Sequence, residues 1–340
     1  MAHELLLHIG YPKTATTTLQ EEIFLKLHNL GKINYLGRTV TSTHNKWGMS
    51  RFNGNDLVVK MRRNLLFGEK FKFDSNSLSK DKINVISDED LLFHDFFHSN
   101  QFGVSVDHFT FPDKIKNMFE GKVEVRILLT LRNQTDLIFS CFSQKINSLP
   151  LSLRSNSFYD FLINKTKHRS RSIQEHLRLY DFHSMKRLWE RDLSKKISYL
   201  FFEDIIHDKT TFLSSLAGVL KVSPLECEEC LGSRHHRKKN KSGDFVIRYS
   251  RCLSLVGRLF GVLSGNHNFL FLLEKRYYIR YSLYIKYESR LLMRNTVFKV
   301  GLPSEDEKLL IKLAFTESNI KWPLETGVDI KKLKAYNYIS

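Results

Sequence analysis

Apolar positions recur along this chain in two rhythms. Short runs of largely apolar residues fall at Leu5–Ile9, Ile33–Leu36, Lys82–Ser87, Val125–Leu131 and Ile197–Phe202. Runs of that length, rich in Val, Ile, Leu and Phe and bounded by polar stretches, predict β-strands, and Val125–Leu131 reads as a strand buried on both faces. Between them the apolar spacing lengthens to helical intervals. Leu19, Ile23, Phe24, Leu27 and Leu30 share one helix face. Ile173, Leu177 and Tyr180, then Met185, Leu188 and Trp189, keep helical spacing, and so do Phe212, Leu213, Leu216 and Leu220, for which Asp208 is the predicted N-cap. A short helix is expected from Asp56 to Leu66. Strands alternating with helices predict an α/β fold: a mostly parallel central sheet with helices on both faces. Ligands of such sheets bind beyond the carboxyl ends of the strands. Lys13, Glu89, Arg132 and Glu203 each follow a predicted strand end.

Two regions break the alternation. Residues 38–80 open with a polar stretch lacking a clear period, and read either as an insertion that could cover the site or as plain connection. From Asp244 to Tyr287 the pattern turns helical, basic and aromatic, with Arg248, Arg251 and Arg258 interrupting apolar residues. The expectation is one domain over residues 1–340, with the 38–80 insertion and a basic helical region over 244–300. No charge-free run of about 18 residues occurs, so a membrane span is not expected. The basic segment reads either as a helix packed on the domain or as an amphipathic surface helix.

The stretch after the first strand carries the first candidate chemistry. Gly10 and Pro12 end the apolar run, Lys13 follows, and Thr14, Thr16, Thr17 and Thr18, interrupted only by Ala15, lead into the helical pattern. A strand, a turn and a helix N-terminus bring N–H groups, the positive end of a dipole and one ammonium to a single point. That is an anion site. It is not the phosphate motif G-x-x-x-x-G-K-[ST]: the lysine enters early, and Ala15 stands where a second glycine would be expected. A second candidate follows the buried strand. Arg132 sits at its end, and Ser140 lies eight residues on, in the next helical segment. An arginine fork and a hydroxyl suit a phosphate monoester, so the pair of sites fits a ligand with two separated phosphates.

Composition narrows the partners. The 340 residues are 42% hydrophobic and 26% charged, a globular balance, with a net charge of +17. Residues 231–300 hold 15 Lys/Arg against 3 Asp/Glu. Such a region suits a phosphorylated ligand, an acidic glycan, an anionic membrane surface or nucleic acid. Four cysteines make no disulfide framework, and with no signal-peptide pattern at the N-terminus a cytoplasmic location is expected. Cys227 and Cys230 have C-x-x-C spacing without a second pair, and read as two thiols on a helix face rather than a metal site.

On these residues the chain resembles the sulfotransferases that take sulfate from 3′-phosphoadenosine-5′-phosphosulfate (PAPS), in particular bacterial glycan-modifying members with their P-loop-like fold. Tyr11–Leu19 is similar to that family's 5′-phosphosulfate loop, and Arg132 with Ser140 to its 3′-phosphate motif. Tyr199–Asp204 is similar to the strand ending in Glu-Asp that follows. His235–Ser242, with Arg237 and Lys239, resembles the basic loop that closes over the nucleotide, and Phe315–Asp329 the C-terminal helix.

The resemblance implies that Lys13, Thr14, Ala15, Thr16, Thr17, Thr18, Arg132, Ser140, Arg237 and Lys239 bind PAPS, and that Lys13 neutralises the leaving 5′-phosphate of PAP. It implies no metal. A Ser-x-Glu after the second long strand supplies the base in glycan members, which points to Glu89 within Ser87–His94; other members use a histidine, which keeps His94 and His98 as alternatives. The implied acceptor is a hydroxyl of a carbohydrate or glycolipid. Contact with an anionic inner membrane face is compatible with the basic segment, and nucleic acid is not an expected partner. Two rivals stay open. One is a nucleotide kinase or NTPase, using Asp88 or Asp204 for magnesium. The other is a non-catalytic basic protein that binds membrane or nucleic acid.

Overall fold

The computed structural model describes residues 3–37, 57–92, 107–119, 123–145, 178–193, 197–231, 245–249, 296–300 and 302–339. Five parallel strands form the central sheet: β1 (His3–His8), β2 (Asn34–Tyr35), β3 (Asn84–Ser87), β4 (Val123–Leu131) and β5 (Ile197–Phe201), in the order β2-β3-β1-β4-β5. All five are the strands expected from the apolar runs. β1 lies at the centre, with Leu7 in register with Ile86 on one side and Ile127 on the other.

Both faces of the sheet are covered, as strand alternation requires. Leu5, Leu7 and Ile9 face one core layer together with Ile86, Leu129 and Leu131. That layer is completed by α3 (Leu57–Phe67), α4 (Phe111–Phe119), α5 (Gln134–Lys145), α6 (Phe182–Asp192) and α10 (Glu305–Thr326). Leu6, Val85, Leu128 and Leu200 face the other layer. There they meet the helical run that begins with α1 (Thr16–Thr18) and ends with α2 (Leu25–Asn29), and beyond it α8 (Lys209–Leu220) and α9 (Pro224–Cys230). The short α7 (Phe202–His207) links β5 to α8, and α11 (Ile330–Ala335) closes the described chain.

Local chemistry sets the helix starts. The Asp208 carboxylate accepts from the Thr211 N–H at 3.1 Å, as expected of the N-cap of α8. Ser304 and Glu307 form a reciprocal capping box at the start of α10, and Gly327, at φ 71°, ends it in the left-handed conformation.

One expectation is corrected. Within the region read as basic and helical, Phe245–Tyr249 (β6) pairs antiparallel with Thr296–Val300 (β7). Both are β-branched or aromatic runs, Phe-Val-Ile-Arg-Tyr and Thr-Val-Phe-Lys-Val, which pack better on a pleated surface than on a helix. The intervening residues 250–295, including Arg251 and Arg258, lie outside the described residues. Among the described residues no helix is long and apolar enough to cross a membrane. Cys227 and Cys230 are buried on α9, and burial pushes the Cys227 thiol up to about 12 and raises that of Cys230.

Candidate functional site

The site lies at the carboxyl edge of β1, between β3 and β4. The chain leaves β1 and β4 in opposite directions across the sheet, so the strand order reverses at that edge, where ligands of such sheets bind. The loop continues the sheet briefly: the Ile9 and Tyr11 N–H groups donate to the Leu128 and Thr130 carbonyls at 3.0 and 3.1 Å. Tyr11 is fully buried, and its hydroxyl donates to the Leu179 carbonyl at 2.7 Å. Gly10 has a steric reason: a Cβ there would lie 1.7 Å from Thr130 Oγ1 and 2.8 Å from Thr16 Cγ2.

Lys13 and Ala15 both have left-handed backbone conformations, with φ of 67° and 65°. Ala15 therefore occupies the one conformation in which glycine would be preferred, and two strained residues sit at the centre of the anion loop. Thr16 then starts the helix, and the Leu19 N–H closes the first turn onto the Ala15 carbonyl at 3.0 Å. The first N–H groups of such a helix have no intrahelical acceptor. Leu19–Phe24 continues in a π-helical register, which the spacing of apolar residues did not reveal. Within the loop Thr14 and Thr16 are buried, Lys13, Ala15 and Thr18 half-buried, and Thr17 exposed.

The two candidate anion motifs meet. Arg132 Nη1 donates to the Lys13 carbonyl at 3.3 Å, although 119 positions separate the residues. The guanidinium stacks on the Phe202 ring, 4.6 Å from its centroid, and lies 3.9 Å from Asp136. Its Nε–H is buried with no protein hydrogen-bond partner. Ser140 is buried within α5, whose N-terminus Asn133 caps by accepting from the Asp136 N–H at 3.0 Å. Glu89 reaches the same loop from the far side of β1: Thr16 Oγ1 donates to Glu89 Oε2 at 2.8 Å. Lys13, Thr16, Glu89 and Arg132 thus gather at one edge. His94, His98, Arg237 and Lys239 lie outside the described residues.

Neighbouring acids are already committed. Asp88 forms an ion pair with Arg62, so α3 is tied to the turn that carries Glu89. Asp204 accepts from Lys332 Nζ at 2.6 Å and from the Tyr336 hydroxyl at 2.7 Å. Glu203 accepts from the Asn133 N–H at 2.9 Å and the Tyr338 hydroxyl at 3.0 Å, bracing the Arg132 turn against the C-terminal segment. Burial raises its pKa, opposed by those hydrogen bonds and by Arg132. Asp88 and Asp204, the acids a magnesium-dependent kinase would need, both hold cationic side chains instead. Among the described residues no three His, Cys, Asp or Glu side chains gather as a metal site.

Sequence reasoning passed over a buried polar cluster beneath the loop. His8 interrupts the apolar run of β1 and is fully buried. Its Nδ1 lies 2.6 Å from Ser87 Oγ and its Nε2 3.4 Å from Thr130 Oγ1. Burial drives its pKa down to about 3, so the imidazole is neutral. A histidine inside an otherwise apolar strand was the available signal.

No protein-family model and no curated protein sequence matches the chain. Among solved structures it is similar to the crystal structure of a sulfotransferase from Alicyclobacillus acidocaldarius, at 13% identity and a TM-score of 0.40, over 80% of this chain and 96% of that one.

Proposed function

We propose that this chain is a sulfotransferase that moves a sulfuryl group from PAPS to a hydroxyl of a carbohydrate or glycolipid. The observation that carries the reading is the meeting of three motifs: Arg132 on the Lys13 carbonyl, and Glu89 on the Thr16 hydroxyl of the same loop. A donor with its 5′-phosphosulfate over the Lys13 loop and its 3′-phosphate toward Arg132 and Ser140 would use both anion sites. The partnerless Nε–H of Arg132 is a donor that a phosphate oxygen could satisfy.

Sulfuryl transfer asks little covalent work of the protein; positioning and charge stabilisation dominate. The acceptor oxygen bonds to sulfur as the bond from sulfur to the 5′-phosphate oxygen breaks. The acceptor's proton passes to Glu89, and PAP departs with the bonding electrons. Lys13 and the opening N–H groups of the helix neutralise the charge that develops on the 5′-phosphate. Thr16 fixes Glu89 through Oε2, and Oε1 is the oxygen that would take the proton. The base is thereby held beside the donor loop, as general-base catalysis requires.

The basic residues between 231 and 300 suit an acidic glycan or a headgroup at an anionic leaflet, where each cation adds about 1 kcal/mol. Two variants test the roles. Lys13→Ala should lower turnover at saturating PAPS about a hundredfold, comparable to losing one oxyanion donor. Glu89→Gln should lose turnover yet keep PAP affinity. Near-normal turnover in Lys13→Ala would remove the leaving-group role.

A further inference from the structure

Under the anion loop the hydrogen bonds of five side chains can be assigned direction without seeing a proton. The Tyr11 carbonyl can only accept, so the single hydroxyl proton of Thr14 is committed to it, at 2.5 Å. Thr14 Oγ1 and Thr130 Oγ1 are 2.8 Å apart, so Thr130 must donate there. Having spent its proton, Thr130 can only accept from His8 Nε2, which must therefore carry the ring hydrogen. A neutral imidazole then has a bare Nδ1, which accepts from the Ser87 hydroxyl at 2.6 Å. Ser87 Oγ in turn accepts from Gln20 Nε2 at 3.1 Å, and the same amide nitrogen faces the Ser87 carbonyl. The chain runs in one direction, Gln20 to Ser87 to His8 to Thr130 to Thr14 to the Tyr11 carbonyl. Every one of these side chains is buried.

The members stand at revealing places. Thr14 lies between Lys13 and Ala15, the two left-handed residues of the loop. Ser87 ends β3 two positions before Glu89, and Thr130 is two positions before Arg132. Gln20 belongs to the π-helical stretch that follows the loop. Strained backbone persists only where its surroundings over-determine it, and Thr14's tie to Thr130 does that here. We propose that His8 is a positioning residue for the transfer reaction: with its proton on Nε2 it locks the Lys13 loop to the ends of β3 and β4, and so sets Glu89 and Arg132 in register with the donor. The inference rests on the donor reading above for its consequence in binding, and on geometry alone for the proton order.

The test joins a spectroscopic arm to a binding arm. Protein labelled with nitrogen-15 histidine is read by long-range proton–nitrogen correlation, with His8 assigned by its loss in His8→Gln. Wild type should show Nε2 protonated and Nδ1 bare. Thr130→Val keeps the branched shape of the strand residue but removes the acceptor for Nε2–H; the proton should move to Nδ1, where Ser87 can accept it. The same variant also loses the hydroxyl's donation to Thr14, so the loop is released from β4 and the Kd for PAP should rise at least about tenfold. Thr130→Ser should restore both tautomer and affinity, which a packing defect would not predict. Should Thr130→Val fail to fold, Ser87→Ala takes its place, with the same weakening of PAP expected. A wild-type proton on Nδ1, or wild-type PAP affinity in Thr130→Val, overturns the proposal. If wild type binds no PAP, the donor reading falls by itself; the proton shift between wild type and Thr130→Val then upholds or removes the lock.

Discussion

Ala15 offers the cleanest test of the loop's geometry. Its backbone sits at φ 65°, ψ 21°, where an L-residue's Cβ crowds the following carbonyl. That conformation costs about 1–2 kcal/mol, a penalty glycine escapes. Glycine gives back about 0.4–1 kcal/mol through the greater freedom of the unfolded chain. Ala15→Gly should therefore stabilise the protein by about 1 kcal/mol, against the usual sign of an alanine-to-glycine change. Equilibrium urea unfolding followed by tryptophan fluorescence suits the measurement, because Trp189 and Trp322 are buried in the core. Ala314→Gly, at an exposed position inside α10, is the internal control and should cost about 1 kcal/mol. If Ala15→Gly destabilised the protein as much as Ala314→Gly does, the left-handed conformation at Ala15 would be wrong.

Further outcomes follow from the same contacts. Gly10→Ala should destabilise the fold by roughly 2–3 kcal/mol in the same assay, because its Cβ would meet Thr130 Oγ1 at 1.7 Å. Arg132→Lys keeps the charge but loses the planar fork over Phe202; its preference for PAP over adenosine 5′-phosphate, measured by calorimetry, should shrink about tenfold. Glu325 accepts from His183 and Lys186, each at 2.9 Å, and the hydrogen bonds from His183 and then Lys186 hold its carboxyl down to about 2. A depressed acid stabilises above its unfolded pKa and loses that contribution as the pH falls through its folded pKa. The melting-temperature gap between wild type and Glu325→Gln should thus be full above pH 4.5 and close as the pH falls toward 2.

The strands were legible because each lies in a short, largely apolar run, and the inner strands β1, β3 and β4 face covered layers on both sides, a pattern that survives without knowledge of neighbours. The cap at Asp208 was legible for the same reason: it depends on residues three apart. The antiparallel pair β6–β7 was not, because arginines at helical spacing masked the β-branched run of Phe245–Tyr249, whose partner strand lies some fifty residues on. Lys13, Arg132 and Glu89 could be picked out as polar residues after strand ends. Their convergence could not, since it is set by strand order. The commitments of Asp88 to Arg62 and Asp204 to Lys332 come from distant helices, and so does the link from His8 to Thr130, 122 positions away. Ala15 looked like a small departure in a motif; only its φ reveals it as a strained one.

The central claim is that the two anion motifs bind one adenosine bisphosphate. Titrating PAP into the wild-type protein in the presence of EDTA tests it most directly. The account predicts saturable binding at one site per chain, unchanged by added magnesium and lost when Lys13 and Arg132 are both replaced by alanine. No binding of PAP, with magnesium-dependent binding of ATP in its place, would contradict it.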